Sequence, residues 1–556
     1  MFKSKYFEKA VAIIMVAMLC LMAVPQVLVA AESAAYALNG TIGSLDTITE
    51  EDVPWTVETS GSIKIQLRGS GAGAEFSAYK LLNITKSGDN RLQVSVPDNA
   101  QSFWKKYLDT EATVNIGMIK TKLNGFGTDT EKSNSIVTAF LEGGFTLPDV
   151  SATTTVDGTS ATLATTFGFY MIRQTKAPAG GYIASAPVLA CLPMQKTAGT
   201  NSWKSSYTVI PKDDQITITK KVSATGNDLK SETIAEIGDT LTYEIVADLA
   251  TYGSDIKSGT ITYTLEDTLP DAIEYNNNAA IKFHKKGEPS DTYVSVTGYE
   301  TVNFDGVNKL SVDLGANYAA DFANYDQVKI TYTAKFNKSN NIVIEDVGNP
   351  NTAKLTYTSA KDETKFIEST AKVYTLELDV TKVEKGNTSN HLEGAVFQVY
   401  RTDTEAADPT NAIKFIDISG NPGYESGKHY RVATDAEITA GTNITTDIEV
   451  ATSPKGEMNI YGLNDQDYHF KEIVAPVGYN IPDELFRIAV KPLAADYAAD
   501  GSLDFDTTRQ SELIQNDSGI NLPVTGGMGT VLFTVIGLLL MAGAAYFLFR
   551  KKKGDH

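Results

Sequence analysis

Along most of the chain, apolar and polar residues alternate with a period of two over short runs, and Gly, Asn, Asp and Pro separate the runs. The alternation is plain at 216–222 (ITITKKV), 240–246 (TLTYEIV), 328–334 (VKITYTA) and 376–380 (LELDV). Successive side chains of a strand point to opposite faces, so each run predicts a strand with one buried and one wetted face. Many such runs, rich in Thr, Val, Ile and Tyr and broken by turn residues, predict β-sandwiches. Helical spacing is sparse, and its best example is 133–141, where Ile136, Val137, Phe140 and Leu141 share a helical face. The expected fold class is mainly β, with tandem sandwich domains of which the first carries one or two short helices.

Two apolar stretches depart from this alternation. Residues 11–24 follow Lys3, Lys5 and Lys9 and precede Pro25 and a small-residue stretch ending Val29-Ala30-Ala31. Basic, then apolar, then small is the order of a secretory signal peptide, expected here over 1–31, so the mature chain is exported. Residues 527–549 are uncharged and largely apolar, and Arg550, Lys551, Lys552 and Lys553 follow them. Roughly twenty apolar residues cross a hydrocarbon core, and a basic cluster holds the adjoining tail in the cytoplasm. A transmembrane segment over 527–549 and a cytoplasmic tail over 550–556 are therefore expected. The remaining length, about 490 residues, suits about three domains of ordinary size. Boundaries set just before new strand-like runs give 32–212, 213–374 and 375–518.

Cys20 falls in the signal peptide, which leaves Cys191 alone in the exported chain and rules out an intramolecular disulfide. Lying in the apolar run 187–193, Cys191 reads as a small buried hydrophobe. The formal net charge of -20 is dispersed and argues against nucleic acid as a partner. The five histidines lack metal-ligand spacing, and neither a phosphate-cradling glycine loop nor a Gly-x-Ser-x-Gly elbow is present. No metal, no cofactor and no enzymatic activity on a soluble substrate are expected.

Before the apolar span stands Leu522-Pro523-Val524-Thr525-Gly526. With the span and basic tail in that order, it resembles the LPXTG sorting signal of Gram-positive surface proteins. The resemblance implies that a sortase cysteine attacks the Thr525 carbonyl, releases Gly526 onward and passes the acyl group to an amine. Further upstream, Trp203 is followed nine positions later by Lys212, through an apolar stretch ending at Pro211. This segment resembles the pilin motif of sortase-polymerised major pilins, with Tyr207 where the family usually has an aliphatic residue and Ile210 where it often has Tyr. Proline ends a central strand, so Lys212 is expected at a domain junction. By the resemblance, Lys212 of one subunit attacks the Thr525 acyl-enzyme of another.

The third domain carries Tyr468-His-Phe470-Lys-Glu472-Ile-Val-Ala475-Pro476-Val-Gly478-Tyr479. It resembles the E-box of collagen-adhesin (Cna) B-type domains, which are immunoglobulin-like. In that family a lysine near the start of the first strand joins an asparagine of the last strand, with the E-box glutamate as catalyst. The resemblance selects Lys382, Asn516 and Glu472, and Lys382 shares the inward alternation of Leu378 and Val380. Burial lowers an amine's pKa and raises a carboxyl's, which lets a neutral lysine attack the amide while the acid assists.

The second domain resembles the middle isopeptide domain of fimbrial subunits through 216–222, 263–270 (YTLEDTLP) and 348–357 (GNPNTAKLTY). Inward alternation picks Lys220, Asp267 as catalyst, and Asn351; a slip of register would instead present Lys221, Glu266 or Asn349. In the first domain, 170–182 (YMIRQTKAPAGGY) looks like a degenerate E-box with Gln174 in the glutamate position. An amide cannot shuttle a proton as an acid does, so no internal bond is expected there.

Together these resemblances imply the shaft subunit of a covalent, cell-wall-anchored extracellular pilus supporting adhesion. The implied partners are identical subunits, a pilin-specific and a housekeeping sortase, peptidoglycan, accessory pilins and a surface receptor. The rival readings are a monomeric wall-anchored adhesin with Lys212 inert, and an accessory tip or basal pilin.

Overall fold

The computed structural model describes residues 60–551 apart from 68–70, 87–91, 142–145, 196–202, 212–213, 225–227, 253–255, 257–258, 339–341, 345–346, 425, 499–501, 506–509 and 519–527. The expected signal peptide, Lys212 and the Leu522 to Gly526 pentapeptide lie outside the described residues.

Alternation becomes strands throughout. In the first region, Glu75–Lys86 is the centre of a sheet flanked by Leu92–Ser95, Gly168–Lys176, Val188–Leu192 and Val150–Thr155. Facing it, Ser60–Gln66 pairs antiparallel with Ser160–Thr166 and parallel with Ser206–Val209. Three helices, Gln101–Leu108, Ile116–Leu123 and Asp129–Leu141, exceed the expected one or two. The first of them buries Phe103, Trp104 and Tyr107, and the Trp104 indole donates to the Leu81 carbonyl at 2.8 Å, so packing stabilises helices too short to read as periodic. Cys191 is buried in this core.

The second region is a sandwich of two six-stranded sheets. One contains, in order, Ile218–Ala224, Thr240–Asp248, Tyr325–Phe336, Ala280–Lys285 and Tyr293–Val294, with Ile273–Tyr275 also paired to Tyr325–Phe336. The other contains Glu232–Ile234, Glu363–Tyr374, Asn349–Ala360, Tyr263–Thr268, Lys309–Asp313 and Asn303–Phe304. In the third region, Leu376–Glu384 pairs antiparallel with Glu457–Leu463 and parallel with Gln510–Asn516. The opposing sheet runs Ile448–Glu449, Val396–Tyr400, Gln466–Val474, Phe486–Val490.

The regions are stitched together by main chain. Asp214–Gln215 pairs with Tyr182–Ile183, and Ile216 N–H donates to the Gly181 carbonyl at 2.9 Å. Gly181 has φ +88°, and a Cβ there would meet the Ile216 carbonyl oxygen at 2.0 Å, so only glycine permits this approach. Between the second and third regions, the buried Glu236 carboxylate accepts from Arg401 Nε at 2.9 Å and from the Tyr468 hydroxyl at 2.7 Å. Ile237 N–H donates to the Gly462 carbonyl alongside, and the apolar cores of the two regions are continuous.

Residues Met528–Lys551 form one helix over the expected transmembrane segment. Among the described residues no helix is long and apolar enough to cross a membrane.

Candidate functional site

Two buried clusters of lysine, acid and asparagine form, one in each of the second and third regions. In the third, Lys382 sits on Leu376–Glu384 in the inward series with Leu378 and Val380 and is fully buried. Parallel pairing with the last strand sets Glu384 opposite Asn516. That register brings Lys382 Nζ within 2.5 Å of Asn516 Oδ1. Glu472 reaches across from the opposing sheet: its Oε1 accepts from Asn516 Nδ2 at 2.8 Å, and its Oε2 is 3.6 Å from Lys382 Nζ. Asn516 Nδ2 also donates to the Asn480 carbonyl at 3.1 Å, which holds the amide plane still.

The rings of Phe397 and Phe486 stand 5.6 and 5.1 Å from the amine and exclude water. Burial therefore lowers the Lys382 amine from 10.5 to about 8, against the opposing pull of Glu472. Burial also raises the Glu472 carboxyl, which Lys382 and Asn516 only partly offset. Both shifts favour the neutral pair, the form in which an amine is a nucleophile and an acid can protonate a leaving nitrogen.

In the second region, Lys220 lies on one sheet, and Asp267 and Asn351 lie on adjacent strands of the other. All three are buried. Lys220 Nζ is 2.5 Å from Asp267 Oδ2, and the rings of Tyr243 and Tyr332 flank the amine at 4.9 and 5.4 Å. Burial lowers this amine too to about 8, with Asp267 opposing. The alternates are turned elsewhere. Lys221 is exposed, Glu266 pairs with Lys309, and the Asn349 side chain is bonded to the main chain of Val343 and Val373.

Tyr332 was legible only as a core position, yet its hydroxyl stands at the centre of this cluster. It donates to Asp267 Oδ2 at 2.6 Å and accepts from Lys220 Nζ at 3.1 Å and from Asn351 Nδ2 at 2.8 Å.

The first region lacks such a cluster among its described residues at the degenerate E-box. Gln174 Oε1 accepts from Ser185 N–H at 2.9 Å and its amide donates to the Lys176 carbonyl at 3.3 Å, so it ties main chain together. Of the pilin segment, Trp203–Lys204 and Ser206–Val209 are strands and Pro211 is buried. Lys212 falls between Ser206–Val209 and Asp214–Gln215, outside the described residues.

Known proteins resemble the chain in two stretches and over much of its length. Residues 377–499 match a family model described as a prealbumin-like fold domain, SpaA, and residues 514–556 match the LPXTG cell wall anchor motif. The trypsin-resistant surface T6 protein of Streptococcus pyogenes serotype M6 is 23% identical over 397 residues, covering 63% of this chain and 72% of that protein. Fimbrial subunit type 1 of Actinomyces viscosus is 24% identical over 426 residues, 70% of this chain and 74% of that one. Among solved structures, the T6 backbone pilin of serotype M6 Streptococcus pyogenes superposes with a TM-score of 0.47 at 18% identity, over 78% of this chain and 81% of that chain. With an LPXTG anchor match over 514–556 and a SpaA-type domain before it, the protein is a cell-wall-anchored surface protein, similar in sequence to a streptococcal surface T6 protein and to an Actinomyces fimbrial subunit.

Proposed function

We propose that the protein is the shaft subunit of this pilus, joined to its neighbours through Lys212 and Thr525 by a pilin-specific sortase. A housekeeping sortase then transfers the finished polymer to peptidoglycan. The subunit supplies the electrophile and the amine, and its only chemistry is on itself: Lys382 with Asn516, assisted by Glu472, and Lys220 with Asn351, assisted by Asp267. Each reaction exchanges the asparagine's ammonia for the lysine amine.

The observation that carries the reading is the desolvated contact of Lys382, Asn516 and Glu472, in which the amine meets the amide oxygen at 2.5 Å, the acid meets the amide nitrogen at 2.8 Å, and amine and acid stand 3.6 Å apart. An exported chain without disulfides has reason to use such ties. Like a disulfide, an isopeptide constrains the unfolded chain, but reductants do not open it. For intermolecular linkage, the support is positional, because the strands Ser206–Val209 and Asp214–Gln215 bracket Lys212 at the link between regions.

The test is an immunoblot of cell-wall extracts boiled in detergent and reductant, native against Lys212→Ala. A high-mass ladder collapsing to monomer in the variant is expected. Monomer in both would leave a wall-anchored adhesin, and a ladder surviving the substitution would assign the linkage to another lysine.

A further inference from the structure

We propose that Tyr332 is a catalytic residue of the second-region cross-link, its hydroxyl carrying the proton from Asp267 to the departing nitrogen of Asn351. This rests on reading that cluster as an isopeptide site.

The argument is one of reach. In the third region Glu472 touches the leaving nitrogen directly, at 2.8 Å. Aspartate is one methylene shorter. Asp267 makes hydrogen bonds to Lys220 and Tyr332, and it is Tyr332, not Asp267, that contacts Asn351 Nδ2. An amide nitrogen leaves as ammonia only after gaining a proton, so the acid's proton needs a bridge, and the phenol occupies the bridging position. Two acceptors of the same cluster, Asp267 Oδ1 and Asn351 Oδ1, are buried without any hydrogen-bond partner. Such orphans are costly, which marks the cluster as more than inert packing.

The steps balance. The Lys220 ammonium gives a proton to Asp267 Oδ2, and neutral Nζ attacks Asn351 Cγ, forming the new N–C bond. The attacked carbon becomes tetrahedral and Nδ2, no longer conjugated, gains a basic lone pair. Tyr332 gives its proton to Nδ2 while taking the one on Asp267. The C–Nδ2 bond breaks, ammonia departs, and the surplus proton on the attacking nitrogen returns to Asp267. Burial holds the phenol well above its usual 10, so it stays protonated and acts by giving and taking together. Its placement is secured by stacking on Tyr243, with centroids 5.0 Å apart and planes at 18°.

The test is intact mass of the folded protein, with the third-region bond as internal control. Wild type is expected to lack two ammonias, and Tyr332→Phe only one, with unchanged circular dichroism. A folded Tyr332→Phe that loses both at the wild-type rate overturns the proposal. Loss of a single ammonia by wild type itself would instead sink the underlying site. In Tyr332→Phe with Asp267→Glu, the longer acid should reach Nδ2 as Glu472 does and restore the second loss. A folded double variant that stays unbonded reduces Tyr332 to a packing role and also overturns the relay. Should phenylalanine prevent folding, near-isosteric fluorotyrosine at 332 carries the test: a changed rate of ammonia loss supports the relay, and an unchanged rate rejects it.

Discussion

The clusters of the second and third regions bring the same three functional groups together by different topologies. In the third, lysine and asparagine sit on the first and last strands of one sheet, and the acid comes from the opposite sheet. In the second, lysine faces asparagine across the sandwich, and asparagine shares its sheet with the acid, on the strand before the last. The glutamate site is self-sufficient, whereas the aspartate site includes a tyrosine hydroxyl. What recurs is a desolvated amine beside a buried acid, and the covering apolar residues, rather than any one strand order, create it.

Removing the acids breaks the comparison most severely. Asp267→Ala and Glu472→Ala should each retain one ammonia and leave the other site bonded, as read by intact mass. Residues 382 and 516 lie 134 apart, and for a loop of this length the chain-entropy argument gives a stability loss of about 5 kcal/mol, visible in the urea midpoint. If one substitution abolished both bonds, the sites would not be independent.

A subtler change sharpens the reach argument. Glu472→Asp shortens the acid where no hydroxyl stands ready to bridge, so bond formation should slow by about 10²-fold or more, the usual range for lost general acid-base assistance. An undiminished time course of ammonia loss would remove carboxylate length as the difference between the sites.

The smallest expected effect is electrostatic. Asn516→Ala leaves Lys382 unreacted, with a folded-state amine near 8 against 10.5 when unfolded. Between those values the unfolded chain binds more protons, so stability rises with pH across that window and is flat below it. The full rise is on the order of 3 kcal/mol. Urea titrations at pH 8 and 10.5 measure it, with Lys382→Met in the same background as reference. The absence of a difference would mean that Lys382 is not desolvated.

Much of this was readable beforehand for identifiable reasons. Alternation at 216–222 and 376–380 reports which side chains turn inward, because strand periodicity is local. The E-box pattern singled out Glu472 as the acid. The helix at Gln101–Leu108 escaped notice because eight residues hold too few turns for a period to show, and tertiary burial of Phe103 and Trp104 stabilises it. Gln174 was seen as unable to serve as an acid, but its role in holding Ser185 N–H depends on a neighbour eleven residues away.

By itself, then, the sequence determined the β-sandwich character, the sorting segment, and the inward faces that offer lysine, acid and asparagine. Only tertiary structure decided which inward residues meet. In 328–334, Tyr332 is one inward side chain among Val328, Ile330 and Ala334, and nothing local sets it apart. Its position among Lys220, Asp267 and Asn351 follows from the pairing of Tyr243 with Tyr332 and from the way one sheet lies on the other. Those relations join residues as far apart as Lys220 and Tyr332, at a separation of 112, and no short-range pattern can encode them.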